Sequence, residues 1–463
     1  MVHQYKNNGY DIVLDVNSGA IHVVDDVTYD VIEMYAAREN VADTSAEEIV
    51  TALSGKYGKE EVEEAIDEVQ TLIKNEELFT KDTYENYMMD FKKRPTVVKA
   101  LCLHIAHDCN LACRYCFAEE GEYHGRRALM TFEVGKKALD FLIANSGNRR
   151  NLEVDFFGGE PLMAWDTVTQ TVDYARSLEE KYNKKFRFTI TTNGLLLDED
   201  KRKYINENMD NCVLSLDGRR EVNDEFRKTV AGTGSYDTIV PKFKALVDER
   251  DPNLDYYARG TFTSHNLDFA EDVLSIADAG FDRLSVEPVT AEPGCGYDLT
   301  EDDLPKIEAE YDRLTDIMLE RKKEGKPFTF FHFMVDLDQG PCVVKRLRGC
   351  GAGYEYVAVT PDGDIYPCHQ FVGKDEFKQG SVLDQSFNMD IAQKFAGMNI
   401  YSRPKCQKCW AKFYCSGGCS AANYNMNHDM NDSYDLGCEM ERKRLECAIY
   451  LKAMDKICAN QSK

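Results

Sequence analysis

No apolar run of about eighteen residues occurs in the chain, so a membrane-spanning helix is not expected. The opening residues Met1, Val2, His3, Gln4, Tyr5 and Lys6 lack the basic-then-apolar build of a signal peptide and the build of a transit peptide. A cytoplasmic location is the resulting expectation. Positive charge is short: 56 Lys and Arg stand against 81 Asp and Glu, a net charge of −25. That surplus repels phosphate backbones, which argues against nucleic acid and favours a basic or neutral substrate. Internal repeats and low-complexity runs are also missing. What remains is a globular chain of 463 residues, 43% hydrophobic, long enough for two to four domains. No cysteine precedes Cys102, yet the chain holds 16, bunched at 109–116 and 342–438. In a reducing compartment clustered thiols bind metal more often than they form disulfides.

Three regions can be read along the chain. In residues 1–90 two short apolar segments, 11–15 and 20–24, flank Asn17, Ser18 and Gly19, which predicts a hairpin. Helical patterns follow near 26–38, 45–55 and 59–76; Ser45 with Glu48 fits a capping box, and Val62, Ile66, Val69 and Ile73 form one apolar face. A charged stretch from Lys81 to Lys93, closed by Arg94 and Pro95, reads as a linker. In residues 91–325 strand patterns at 101–106, 152–157, 186–192, 212–216, 256–263 and 283–289 alternate with helical ones, such as Val134–Ile143 and Phe269–Ala279. That alternation predicts a parallel α/β sheet, and six units predict a partial barrel with ligands at the carboxyl ends of its strands. In residues 326–463 glycines, cysteines and turns replace long periodic segments until a final helix near 438–457. Such a region buries little apolar surface, so metal crosslinks are expected to stabilise it.

Cys109, Cys113 and Cys116 are separated by three and two residues, just after the first of these strands. Three thiolates in one loop can hold three irons of a 4Fe–4S cubane and leave the fourth open to a ligand. Zinc is the alternative, although it usually takes four ligands in pairs. The spacing, with Tyr115 before and Phe117 after the last cysteine, resembles the radical S-adenosylmethionine (SAM) superfamily. The resemblance implies that the open iron takes the amine and carboxylate of SAM, and that Cys109, Cys113 and Cys116 serve catalysis. Gly158, Gly159 and Glu160 after the second strand resemble the segment that binds the SAM amino group. There glycine allows close backbone approach and a carboxylate pairs an ammonium. Thr192 and Asn193 follow the third strand. Ser215 and Asp217 follow the fourth and match positions that reach the ribose hydroxyls, with a helix cap as the other reading. Arg259 on the fifth strand matches the residue that grips the SAM carboxylate; a snorkelling arginine is the other reading. Glu287, after the sixth strand, is a further candidate on the adenine side.

Later in the chain, Cys406, Cys409, Cys415 and Cys419 are spaced by two, five and three residues, and Cys438 follows. Upstream, Cys350 precedes Gly363, and Cys368 comes after four further residues. The spacing alone says zinc or iron–sulfur. The order resembles the SPASM extension of radical SAM enzymes, which implies two auxiliary 4Fe–4S clusters, three clusters in all. By that resemblance Cys406, Cys409, Cys415 and Cys438 hold the outer cluster, and Cys350, Cys368 and Cys419 the inner one. Cys342 is the candidate fourth inner ligand; without it one inner iron stays open for a substrate thiolate. Cys102, Cys212, Cys295, Cys447 and Cys458 lack such spacing and are expected to be free thiols, many of them buried.

A hairpin with three helices resembles the RiPP recognition element, a winged-helix-like fold that binds the leader of a ribosomally made peptide as an added strand. A small dimerisation domain is the other reading, and the acidic helices argue against a DNA-binding one. The expected architecture is therefore a partial (β/α)6 TIM-like radical SAM barrel, with that domain before it and a SPASM domain after it. The opening Gly9–Gly19, with His22, Val23, Val24 and Asp25, is similar to maturases of SCIFF (six-cysteine) peptides. That likeness implies Cys–Thr thioether formation in a cysteine-rich precursor, through hydrogen abstraction by a 5′-deoxyadenosyl radical. It also implies a low-potential electron donor of flavodoxin or ferredoxin type. The alternatives on the same scaffold are carbon–carbon crosslinking, epimerisation, formylglycine formation, and a non-catalytic metal-stabilised peptide chaperone.

Overall fold

A computed structural model describes residues 1–38, 40–87, 97–119, 121–123, 125–335 and 347–461. Arg94, Pro95 and Cys342 lie outside the described residues.

The N-terminal unit is a three-stranded antiparallel sheet with three helices. Strands β1 (Val2–Asn7), β2 (Tyr10–Asp15) and β3 (Ile21–Val24) stand in that order. The expected hairpin is β2–β3, with Asp11 opposite Val24, and Gly19 in its turn at φ +77°. Strand β1 was not legible, because its polar residues show no apolar alternation; pairing with β2, Val2 opposite Asp15, creates it. Asp15 is buried and accepts from the Ser18 amide at 2.9 Å and the Thr80 amide at 3.0 Å, tying the turn to the chain beyond the helices. The helices are Asp26–Ala36, Ala46–Leu53 and Lys59–Lys74. Val31, Ile32, Ile49, Val62, Ile66 and Val69 close their core against Val13. The capping box expected at Ser45 does not form. Ser45 makes no side-chain cap bond, and Glu48 pairs with Arg38 at 3.0 Å instead.

The large sheet contains the six expected strands in sequence order and in parallel. They are β4 (Ala100–His107), β7 (Asn151–Gly158), β8 (Lys185–Thr192), β9 (Asn211–Ser215), β11 (Asp255–Phe262) and β12 (Arg283–Pro288). Strands β5 (Leu111–Cys113) and β10 (Arg227–Thr229) form a separate antiparallel pair, and β6 (Ala128–Leu129) pairs with β4. Apolar residues on the helix-covered face, such as Leu103, Phe156, Phe188, Leu214 and Phe262, pack under helices including Phe132–Asn145 and Trp165–Tyr182.

The sheet runs past the sixth strand. Strand β13 (Thr329–Phe330) continues it beyond β12. At the other edge β14 (Tyr356–Val359) pairs in parallel with β4, and β15 (Asp364–Tyr366), β16 (Gly380–Ser381) and β17 (Ser386–Phe387) follow. The cysteine-rich segment thus shares the sheet of the preceding region. Its last helix, Asp435–Gln461, packs on helix Leu304–Lys323, where Lys443 meets Asp312 at 2.6 Å. The same helix meets β1, whose Tyr5 hydroxyl donates to the Glu446 carbonyl at 3.0 Å. Among the described residues no helix is long and apolar enough to cross a membrane.

Candidate cofactor and cluster sites

The carboxyl ends of the parallel strands surround a cavity of about 250 Å³. Cys109, Cys113 and Cys116 line it, with Tyr115 and Phe117 beside them. The loop is held by its own short strand: β5 pairs with β10 so that Cys113 lies opposite Arg227. Leu111 donates its amide to the Cys109 sulfur at 3.4 Å, and Asn193 directs its side-chain amide to the same sulfur at 3.6 Å. Burial pushes the Cys109 and Cys113 thiols up to about 12, with Arg227 opposing the shift at Cys113. Iron would have to displace those protons on binding.

The glycines do what close approach requires. A β-carbon on Gly158, which sits at φ +123°, or on Gly159 would overlap the Ala106 or Asp108 carbonyl oxygen. Without one, the Gly159 amide donates to Ala106 at 2.7 Å and the Glu160 amide to Asp108 at 2.9 Å. The exit of β7 is thereby pressed onto the exit of β4, and both glycines line the cavity.

Thr192, Asn193, Ser215 and Arg259 also line it, whereas Glu160 and Asp217 do not. Glu160 is fully buried and accepts from the Asn193 amide at 2.7 Å, the Thr192 hydroxyl at 2.8 Å and the Leu162 amide at 3.0 Å. Burial pushes it up to about 7 against those donors. It therefore braces the ends of β7 and β8. Asp217, also buried, accepts from the Tyr115 hydroxyl at 2.6 Å and the Thr261 amide at 3.0 Å, and pairs with Arg227 at 3.0 Å. It fixes the aromatic residue of the cysteine loop.

Arg259 donates to Glu287 at 2.6 Å. The second Glu287 oxygen lies 3.9 Å from His332 Nε2, and His332 Nδ1 lies 3.2 Å from Arg444. Burial works to raise Glu287, but the Arg259 guanidinium, with Arg444 farther off, outweighs it and holds the carboxyl below its usual range. Burial, aided by Arg444, lowers His332 to about 3, so it is neutral.

Two further cavities lie in the cysteine-rich region. Cys406, Cys409, Cys415 and Cys438 all line one of about 210 Å³, with Lys405 and Arg442. Another, of about 370 Å³, is lined by Cys415, Cys419 and Cys438 and shares Glu287, Pro288, Val289 and Thr290 with the first cavity. Cys350, Cys368 and Cys419 are close enough to feel one another: burial first, then Cys419 and Cys350, push the Cys368 thiol up. Among the described residues no group of three or more His, Cys, Asp or Glu side chains is placed to hold a single metal ion. Thiol-lined cavities suit a cluster, which spreads its ligands over several irons. Cys102, Cys212 and Cys447 are buried, as expected of thiols outside the spacing, while Cys295 is half-buried and Cys458 exposed.

Residues 103–257 match the Radical SAM superfamily, and residues 350–410 match an iron–sulfur cluster-binding domain named SPASM. The chain has the radical SAM α/β fold with a C-terminal SPASM domain. These two domains imply SAM and multiple 4Fe–4S clusters as its cofactors. A cysteine-type anaerobic sulfatase-maturating enzyme of Clostridium novyi is 24% identical over 72% of this chain and 90% of its own. The radical SAM cyclopropyl synthase TigE of Paramaledivibacter caminithermalis is 23% identical over 70% of this chain and 68% of its own. Among solved structures, anSMEcpe with bound AdoMet superposes with a TM-score of 0.62 at 20% identity, covering 77% of this chain and 99% of that one. Streptococcus suis SuiB bound to SAM gives 0.53 at 18% identity, covering 94% and 98%.

Within the radical SAM cavity some residues went unread in the sequence. Arg227, His369 and Gln370 line it as well. His369 directly follows Cys368, so proximity to a candidate SPASM ligand was a usable signal. Arg227 carried none, because only the β5–β10 pairing brings it to Cys113.

Proposed function

We propose that the protein is a peptide maturase that joins cysteine sulfur to threonine as thioethers in a ribosomally made, cysteine-rich SCIFF-type precursor. The observation that carries this reading is that the two cavities abut at Glu287–Thr290, the one lined by Cys109, Cys113 and Cys116 and the other by Cys419. In this reading the first three cysteines hold the cluster that works with SAM. Cys406, Cys409, Cys415 and Cys438 hold the outer auxiliary cluster, and Cys350, Cys368 and Cys419, with or without Cys342, hold the inner one. With SAM, the first cluster supplies one-electron chemistry for hydrogen abstraction. The chain positions the parts: Gly158 and Gly159 admit the amino-acid end of SAM, Arg259 takes its carboxylate, and Ser215 faces the ribose. A peptide residue where the two cavities meet would lie between SAM and Cys419, where proximity lowers the entropic barrier to bond formation.

The N-terminal sheet supports a peptide substrate. Among the described residues β3 pairs only with β2, which leaves an edge for a leader strand, with Val23 exposed upon it. SuiB, of similar fold, has been solved bound to its precursor peptide SuiA. A low-potential flavodoxin or ferredoxin would donate the electron, in the cytoplasm.

Formylglycine formation is the second reading, favoured by the sulfatase-maturating relatives. Anaerobic incubation with SAM, reductant and a six-cysteine precursor separates the two by mass spectrometry. Thioether formation removes two hydrogens for each link, and fragmentation fails between the joined residues. Loss of sulfur with gain of an aldehyde would overturn the thioether reading, as would 5′-deoxyadenosine formed with no change in the peptide.

A further inference from the structure

We propose that Glu287 is an internal stand-in for the SAM carboxylate: it holds Arg259 before the cofactor arrives and is the group SAM displaces, so it sets how strongly the site selects a carboxylate-bearing ligand. This rests on Arg259 as the carboxylate's partner, as read above.

Arg259 and Glu287 are diagonal neighbours on strands β11 and β12, Arg259 lying opposite Ser285 and Glu287 opposite Thr261, and both line the SAM cavity. Their 2.6 Å contact takes up part of the guanidinium fork that an incoming carboxylate needs. The two side chains keep 45% and 31% of their surface exposed, so the pair lies open to the cavity and is not locked in the core. An arginine alone there would be free to turn toward other acceptors; the glutamate keeps it aimed.

Glu287 also has somewhere to go. Its other oxygen already faces His332, and behind that ring is Arg444. Arg444 is half-buried; one terminal nitrogen pairs with Glu441 and another meets His332, while its Nε has no hydrogen-bond partner. A carboxylate leaving Arg259 therefore moves toward a second cation, one shared with Glu441, and not into apolar surroundings. The exchange trades one carboxylate for another at Arg259, so net charge at the guanidinium is preserved. The cost falls on SAM as competition, which a ligand lacking the carboxylate does not meet.

The test is equilibrium binding to the anaerobically reconstituted enzyme, with SAM and decarboxylated SAM as probes and no peptide. Wild type, Glu287→Gln, Glu287→Asp and Arg259→Ala are compared at matched iron content. Glu287→Gln should raise the ratio of SAM to decarboxylated-SAM affinity about tenfold, because a neutral amide competes poorly for the guanidinium. Glu287→Asp, charged but shorter, should fall between it and wild type. A general packing defect would weaken both probes alike and leave the ratio unmoved, which overturns the proposal. A ratio shifted toward decarboxylated SAM also overturns it, since Glu287 would then contact the cationic end of the ligand. Arg259→Ala tests the underlying reading separately: SAM affinity should fall while that of the decarboxylated probe holds, and no change would remove both. Failure of peptide modification with this binding pattern intact would count against the maturase reading alone.

Discussion

Removing the carboxylate of Asp82 should cost more stability than removing the whole ion pair it belongs to. Asp82 follows the N-terminal helices, and its partner Lys412 lies between Cys409 and Cys415 of the cysteine-rich region, so the pair pins one unit to the other. The Lys412 side chain is only 5% exposed and Asp82 23%. Their contact is 2.7 Å, and the ammonium sits 5.0 Å from the Phe413 ring centre and 5.5 Å from that of Tyr401. Asp82 also accepts from the Tyr401 hydroxyl at 2.9 Å and the Tyr84 amide at 3.0 Å. In Asp82→Ala the ammonium stays buried without its counter-charge, at about 3 kcal/mol, the low end for a broken buried pair because Asp82 is partly hydrated. Lys412→Met leaves Asp82 with two donors and some water, so about 1–2 kcal/mol is expected. The double variant strands no charge and should lose about 1–2 kcal/mol, a coupling of about 3 kcal/mol between the sites. Trp410, stacked on His3 at 3.8 Å between ring centres, reports this interface directly. With the other tryptophan replaced (Trp165→Phe), urea titration of Trp410 fluorescence follows the first transition. Only a first transition is used, since a multidomain metalloprotein need not unfold in two states. Additive losses, with the double variant the least stable of the three, would refute the reasoning.

Other expectations can be checked in parallel. Gly159→Ala places a methyl against the Asp108 carbonyl and should push β7 off the cysteine loop, costing about a hundredfold in SAM cleavage while iron bound in the SPASM domain is retained. Burial pushes Asp155 up to about 7, so its native form binds a proton that the unfolded chain, with the usual value near 3.8, has lost. Stability then falls as pH rises from about 4 to 7 and levels off above. Asp155→Asn should match wild type near pH 4 and exceed it at pH 8, by up to about 4 kcal/mol; an advantage in thermal midpoint that does not grow with pH would count against this. Cys415→Ser should lower iron from about twelve to about eight per chain, whereas Cys212→Ala, away from every cysteine set, should leave it unchanged. The same iron count on Cys342→Ala decides whether that residue completes the inner set: cluster loss means that it does, and retention means an open iron.

Much of the site was legible because its signals are local. The cysteine loop and the paired glycines each occupy a strand end, and Arg259 a strand, recognisable from a few neighbouring residues, and the cavity gathers them. Glu160 and Asp217 show where that kind of reading stops. Their identity and position at the strand ends were visible, but the side chains are consumed by buried partners, Asp217 by Tyr115 across 102 residues. A carboxylate after a strand looks the same in sequence whether it faces a ligand or a buried arginine.

What the sequence determined by itself is what short-range periodicity and spacing can carry: six parallel strands, the helices between them, and three sets of cysteines in metal-binding order. Only the tertiary structure decided how these share surfaces. It set β14 beside β4, buried Tyr5, Ile12 and Leu14 of the N-terminal sheet against Cys406 and Phe413, and set the cavity of the first cysteine loop against the one beside Cys419. The reason is physical. A strand or a cysteine spacing is specified by residues within one turn or one loop, whereas Arg227 against Cys113 or Asp82 against Lys412 follows from packing whole units together, with 330 residues between the latter two.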